Sequence, residues 1–113
     1  LPVFVALSEH DRVVGWSTLK QRQDRVGYRF TAYNSIYVAA HERGNGVGKL
    51  LMLPLLECAK TKGLHALLAA IDAENEACLH LHAMLGYEKV GCFRQVGCKF
   101  GRWLDIVYME RLF

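Results

Sequence analysis

Three glycines on alternate positions, Gly44, Gly46 and Gly48, separate two stretches of different period. Upstream, SIYVAA is a short apolar run of strand type. Downstream, Val47, Leu50, Leu51, Leu55 and Cys58 fall on one helical stripe. Lys-Thr-Lys-Gly at positions 60–63 supplies the cations and the glycine that close a helix. Pro54 lies inside that helix, where it removes one hydrogen bond and kinks the axis. Glycine at such density weakens either kind of element from within. The segment is therefore a strand, a turn and a helix start, and the rest of the chain must be arranged around that corner.

The flanking segments fill in the order. PVFVAL and RVVGWSTL are rich in β-branched and aromatic residues, and the polar SEHDR between them predicts a hairpin. KQRQDRVGYRFTAYN is a polar connection or irregular strand. After the first helix, HALLAAID is a continuous apolar run, as expected for a strand covered on both faces. AENEACLHLHAMLG runs from an acidic start to a glycine stop and predicts a second helix. YEKVGCF and WLDIVYMERL are two more strands, with RQVGCKFGR joining them. The order β-β-β-α-β-α-β-β implies an α/β or α+β domain, one sheet flanked by helices, over residues 1–113.

A chain of 113 residues, 52% apolar, suffices for one core. No apolar run reaches the roughly 18 to 20 residues of a membrane span. LPVFVAL has neither the basic start nor the small-residue cleavage site of a secretory leader, and the absence of an initiator Met suggests a fragment. The formal charge of +3 is scattered without a basic block, so nucleic acid is not expected. Cysteines at 58, 78, 92 and 98 match no zinc spacing. Cys78 and His82 are one helical turn apart, but buried free thiols in a reducing cytoplasm are the better reading, with no metal.

A glycine-rich turn that opens a helix is a phosphate site by construction, because the first helical amides lack partners and the dipole favours an anion. Arg43 and Lys49 add positive charge. A glycine-capped helix start without a ligand is the alternative. The phosphate loop of nucleoside triphosphatases is excluded: Gly48-Lys49 precedes Leu50, so no hydroxyl is placed for Mg²⁺. The dinucleotide fingerprint fails too, since the glycines follow the wrong spacing and come after at least three strands.

Arg43, Gly46 and Gly48 spell Arg-x-x-Gly-x-Gly, which resembles the pyrophosphate loop of the GCN5-related N-acetyltransferases (GNAT). DAENEACLHLHAMLGYEKVG resembles that superfamily's next segment. YRFTAYNSIYV, IYVAAHERGNGVGKLL and the GCKFGRWLDIVYM tail together resemble its phosphinothricin and methionine sulfoximine N-acetyltransferase branch. The resemblance implies a mixed, mostly antiparallel GNAT-like sheet whose N-terminal strand and two helices are missing here. It also implies acetyl-CoA as cosubstrate and a small amino acid or analogue as amine acceptor. The absent segment leaves one side of the acceptor groove open, and an open apolar edge invites pairing, so a homodimer is expected.

Carried over by position, the resemblance assigns Tyr37 and Val38 to the pantetheine arm, with an oxyanion donor near Val38. It assigns Arg43, Gly44, Asn45, Gly46, Val47, Gly48 and Lys49 to the pyrophosphate, and Asn75 to the cofactor arm. His82 takes the branch's proton-transfer position, for which an imidazole titrating near ~6.5 is suited. His80 lies some 200° round the helix and cannot share that site. Arg25 and Tyr28 match residues that grip the acceptor's carboxylate. One departure stands out: the branch's T-x-E-x-S-V-Y-V has a catalytic Glu where this chain has Tyr33, and a phenol titrating near ~10 is a poor base. Glu42 faces the cofactor loop and does not replace it. Trp103 and Phe100 are expected in the core. Two alternatives follow, a non-catalytic acyl-CoA-binding remnant and an acetyltransferase for peptide N-termini.

Overall fold

The computed structural model describes residues 3–21 and 26–113. Its strands are β1 (Val3–Leu7), β2 (Val13–Gln21), β3 (Thr31–Val38), β4 (Ala66–Asp72), β5 (Glu88–Lys99) and β6 (Arg102–Leu112). The helices are α1 (Val47–Thr61) and α2 (Glu76–Met84). The strands form one sheet in the order β1-β2-β3-β4-β6-β5, with β3 and β4 the parallel pair and the other neighbours antiparallel. This is the expected element order and a mixed, mostly antiparallel sheet.

Local chemistry accounts for the turns. Ser8 closes the β1–β2 hairpin by accepting the amide N–H groups of His10 and Arg12, both at 3.2 Å, a local bond typical of serine. Gly63, at φ +73°, ends α1 after Lys62. Phe100 and Gly101 both have positive φ (52° and 74°), the pattern of a two-residue type I′ hairpin. The segment RQVGCKFGR is therefore mostly strand, joined at a two-residue turn. Its register slips between Phe93 and Gly97, where Asp105 accepts the Gln95 amide at 2.9 Å. The bulge disguised the strand in the sequence because it breaks the two-residue alternation.

Both helices lie on one face of the sheet, since the Asn34 side chain meets Met52 of α1 and His82 of α2. The core there comprises Leu19, Met52, Leu55, Leu56, Ala59, Leu67, Ile71 and Met109 among others. Burying each large side chain is worth about 1.5–3 kcal/mol. Leu50 departs from the predicted stripe: it is 67% exposed, and Met52, Leu56 and Ala59 take the inward positions with Leu51 and Leu55. β4 is covered less completely than expected, with Ala70 exposed. Trp103 and Phe100 are 68% and 93% exposed instead of packed in the core. Cys92 and Cys98 are exposed as well, so only Cys58 and Cys78 approach the buried-thiol expectation.

Candidate active site

β3 and β4 share only three register positions, Thr31↔Ala66, Ala32↔Leu67 and Tyr33↔Leu68, and then part. The bond from the Ala39 amide to Val14 O (2.8 Å) fixes the phase of the β2–β3 ladder. Odd-numbered residues of β3 exchange bonds with β2, so beyond the last β4 pair the main-chain groups of Ile36 and Val38 turn toward the gap. A cleft of about 220 Å³ occupies that gap, lined by Asn34, Ile36, Ile71, Asp72, Asn75, Cys78 and His82 among others. Strand amides directed into the gap at Ile36 and Val38 suit an extended ligand that completes the ladder.

The glycine corner stands where β3 leads into α1. Gly46 is the N-cap of α1 at φ +79°, with no side chain capping the helix, and Gly44 has φ +86°. A Cβ at either glycine would meet nothing within 4 Å, so the loop is open and its glycines are required by backbone conformation. Gly48 differs: a Cβ there would lie 2.9 Å from Leu81 Cδ2, so this glycine lets α1 approach α2. Arg43, Asn45 and Lys49 are exposed around the corner. Arg43 Nε donates to Val38 O (3.3 Å), and Asn45 Nδ2 to Glu42 Oε2 (3.3 Å). Uncapped amides, open space and two cations fit a diphosphate.

His82 is 1% exposed and belongs to a chain of buried polar groups. Its Nδ1 lies 2.8 Å from the Cys78 carbonyl, its Nε2 lies 3.0 Å from Asn34 Nδ2, and Tyr87 donates its hydroxyl to Asn34 Oδ1 at 2.6 Å. The Tyr87 ring meets the imidazole edge-on with centroids 4.8 Å apart. Burial holds the imidazole below its ordinary value of 6.5, partly opposed by the bond to the Cys78 carbonyl. Burial also pushes the Cys78 thiol up from 9.0 and raises the Tyr87 phenol well above 10.0, the latter offset in part by Arg111. The Cys78 sulfur is 3.6 Å from His82 Nδ1, but the hydrogen on that nitrogen is committed to the carbonyl. The pair is therefore no nucleophile and base.

The other expected residues are distributed unevenly. Asn75 is in the cleft lining and caps α2, its Oδ1 accepting the Cys78 amide at 3.1 Å. Val38 presents its main chain to the gap, whereas Tyr37 pairs with Trp16 and stacks its ring on it at 6.0 Å. Tyr33 alternates with Asn34 and so lies on the helix-free face, opposite His82. The structure does not bring Tyr33 and His82 together. Tyr28 is exposed in a short 3-10 turn, Val26–Tyr28. Arg25 lies outside the described residues. His80 is exposed. No group of three metal-ligating side chains occurs among the described residues.

Sequence reading missed Asn34 and Tyr87. The available signal was an asparagine between Ala32 and Ile36, at a strand position facing the core, where a polar side chain requires a partner. A larger hollow of about 460 Å³, between α1, the end of α2 and Arg111, shares no residue with the glycine corner or the cleft.

Known proteins share this fold. The chain is 40% identical over 109 residues to an L-methionine sulfoximine/L-methionine sulfone acetyltransferase of Pseudomonas paraeruginosa, matching 96% of this chain and 63% of the relative. The chain thus spans less than two thirds of that relative's length. A ribosomal-protein-alanine N-acetyltransferase from Brucella melitensis superposes with a TM-score of 0.91 at 40% identity, over 99% of this chain and 68% of the other. A phosphinothricin acetyltransferase from Sinorhizobium meliloti, solved in complex with AcCoA, superposes with a TM-score of 0.91 at 35% identity, over 98% and 60%. The Acetyltransferase (GNAT) family model matches residues 2–87, and the chain belongs to that family.

Proposed function

We propose that this chain is the acetyl-CoA-binding core of an N-acetyltransferase acting on the amine of a small amino acid or analogue, such as methionine sulfoximine or phosphinothricin. The observation that carries the proposal is the uncapped glycine corner at the end of β3, the strand that also lines the cleft where β3 and β4 part. Bound acetyl-CoA supplies an activated thioester. The amides at the start of α1, with Arg43 and Lys49, hold its diphosphate. Ile36 and Val38 offer main-chain partners to the arm, and a Val38 amide steadies charge on the carbonyl oxygen, an interaction whose loss costs about 3–4 kcal/mol elsewhere. The Asn75 side chain borders the same path. His82 serves proton transfer from beneath the cleft floor, and Arg25 and Tyr28 serve the acceptor's carboxylate.

Four free thiols among the described residues suit a reducing cytoplasm. No helix among those residues is long and apolar enough to cross a membrane. The scattered charge gives no reason to expect nucleic acid. Exposed Val3, Val5, Leu7 and Trp16 on the outer strands suit a homodimer. Light scattering that returned a monomer would contradict the dimer.

Two other readings have specific support. The separation of Tyr33 from His82 favours a binder without catalysis, and likeness to the Brucella protein favours peptide N-termini as acceptors. Thiol release from acetyl-CoA, measured over an amino-acid panel and an alanine-initiated peptide, separates them. Turnover with methionine sulfoximine or phosphinothricin supports the proposal. Acetyl-CoA binding without release on any acceptor overturns the enzymatic reading.

A further inference from the structure

The donors and acceptors around His82 admit one consistent assignment. The Cys78 carbonyl only accepts, so Nδ1 at 2.8 Å carries the hydrogen. A neutral ring then has a bare lone pair on Nε2, and Asn34 Nδ2 at 3.0 Å donates to it. The other half of the amide is fixed as well, because Tyr87 donates its hydroxyl to Asn34 Oδ1 at 2.6 Å. The second amide hydrogen points toward the Met52 sulfur at 4.0 Å. Every polar atom of the chain Tyr87–Asn34–His82–Cys78 is satisfied, with Asn34 on β3 joined to α2 and to the residue that precedes β5.

A second proton on this ring would set the new N–H against the amide N–H of Asn34. Relief requires the amide to turn over, so that Oδ1 accepts from Nε2 and Nδ2 faces the Tyr87 oxygen. The phenol must then find another acceptor. The titratable groups facing the ring are the Cys78 thiol on its own helix, the Tyr87 phenol before β5, and Asp72 on the opposite cleft wall. The Asp72 Oδ1 accepts the Glu74 amide at 2.9 Å. None supplies a carboxylate to Nε2.

We propose that Asn34 and Tyr87 are positioning residues that lock His82 as the neutral Nδ1–H tautomer, and that His82 takes up a proton only when the Asn34 amide turns over. The consequence for catalysis rests on the acetyltransferase reading: His82 enters the cycle as a base whose proton uptake is gated by Asn34, never as a resting imidazolium acid. The lock itself does not depend on that reading.

Nitrogen-15 NMR of the histidine rings tests the lock directly on the 113-residue chain. The expected spectrum shows His82 with a protonated Nδ1 and a bare Nε2, persisting below the ~6.5 of an ordinary imidazole. Asn34→Asp replaces the donor with a carboxylate, so both ring nitrogens then have acceptors, and the His82 midpoint rises by roughly 1 to 3 pH units. Tyr87→Phe frees the amide, and the midpoint rises by a smaller amount. A protonated Nε2 in the unaltered chain, or a midpoint unmoved in both variants, overturns the lock. Should Asn34→Asp fail to fold, the unaltered chain and Tyr87→Phe decide. In thiol-release assays the acidic limb of the pH profile moves with the NMR midpoint in Tyr87→Phe. An unmoved limb beside a moved midpoint overturns the gating step. Absence of acetyl-CoA binding by the unaltered chain overturns the acetyltransferase reading and leaves the NMR result standing.

Discussion

Replacing His82 by alanine removes a ring that is 1% exposed, joins α2 to β3 through Asn34 and packs on Tyr87. The Asn34 amide loses its acceptor within the core, and an orphaned buried donor costs about 1–3 kcal/mol. Loss of the edge-on contact with Tyr87, at 4.8 Å, removes about 0.5–1.5 kcal/mol more. Together these make His82→Ala less stable by about 2–4 kcal/mol, a large share of the ~5–15 kcal/mol typical of a domain. Urea unfolding followed by far-UV circular dichroism reads this as a midpoint lowered by roughly 1 to 2 M at unchanged slope, given ~1–3 kcal/mol/M for small proteins. Adding Asn34→Ala removes the orphaned donor, so the double variant is less destabilised than the sum of the singles by about 1 kcal/mol or more. A midpoint within about 0.3 M of the parent would refute the buried network. Loss of turnover in His82→Ala therefore carries mechanistic meaning only at temperatures where the variant is folded.

Stability depends on pH at both ends. The folded imidazole of His82 lies below 6.5, so the unfolded chain binds more protons, and the His82 contribution is complete above pH 6.5 and lost as pH falls. Cys78 and Tyr87 are raised from 9.0 and 10.0, so their contributions hold below those values and are lost as pH rises beyond them. Urea midpoints across pH 4–11 should form a dome whose acidic slope is shallower in His82→Ala. In Gly15→Ala, a Cβ would lie 2.7 Å from the Tyr37 carbonyl oxygen, forcing β2 and β3 apart at about 1–3 kcal/mol; thermal melting shows a lower midpoint. Gly46→Ala meets no atom but must hold φ +79°, costing about 1–2 kcal/mol, and weakens acetyl-CoA binding in calorimetry.

Local pattern carried the fold. Val47, Leu51 and Leu55 repeat with the helical period because α1 lays one stripe on the sheet, and SEHDR turns because Ser8 bonds its neighbours. Leu50 reads as inward because it follows Val47 by three positions, yet Met52 and Leu56 take the buried side. The bulge after Phe93 erased the alternation that would have marked β5 as a long strand. At the site, the glycine corner was legible since its residues are contiguous. The network around His82 was not: Asn34 meets His82 and Tyr87 only after β3 and α2 pack together. Tyr33 and His82 look like partners in a motif, but strand alternation sends Tyr33 to the other face.

The central claim is that the amides at the β3–α1 corner grip the diphosphate of coenzyme A. Titration calorimetry of the chain with acetyl-CoA, set beside acetyl-pantetheine that carries the thioester arm without the diphosphate, tests it most directly. Saturable binding of acetyl-CoA, at least tenfold weaker (about 1.4 kcal/mol) for acetyl-pantetheine and weakened by Arg43→Ala, is the predicted result. Equal affinity for the two compounds, or no heat with acetyl-CoA, would contradict it.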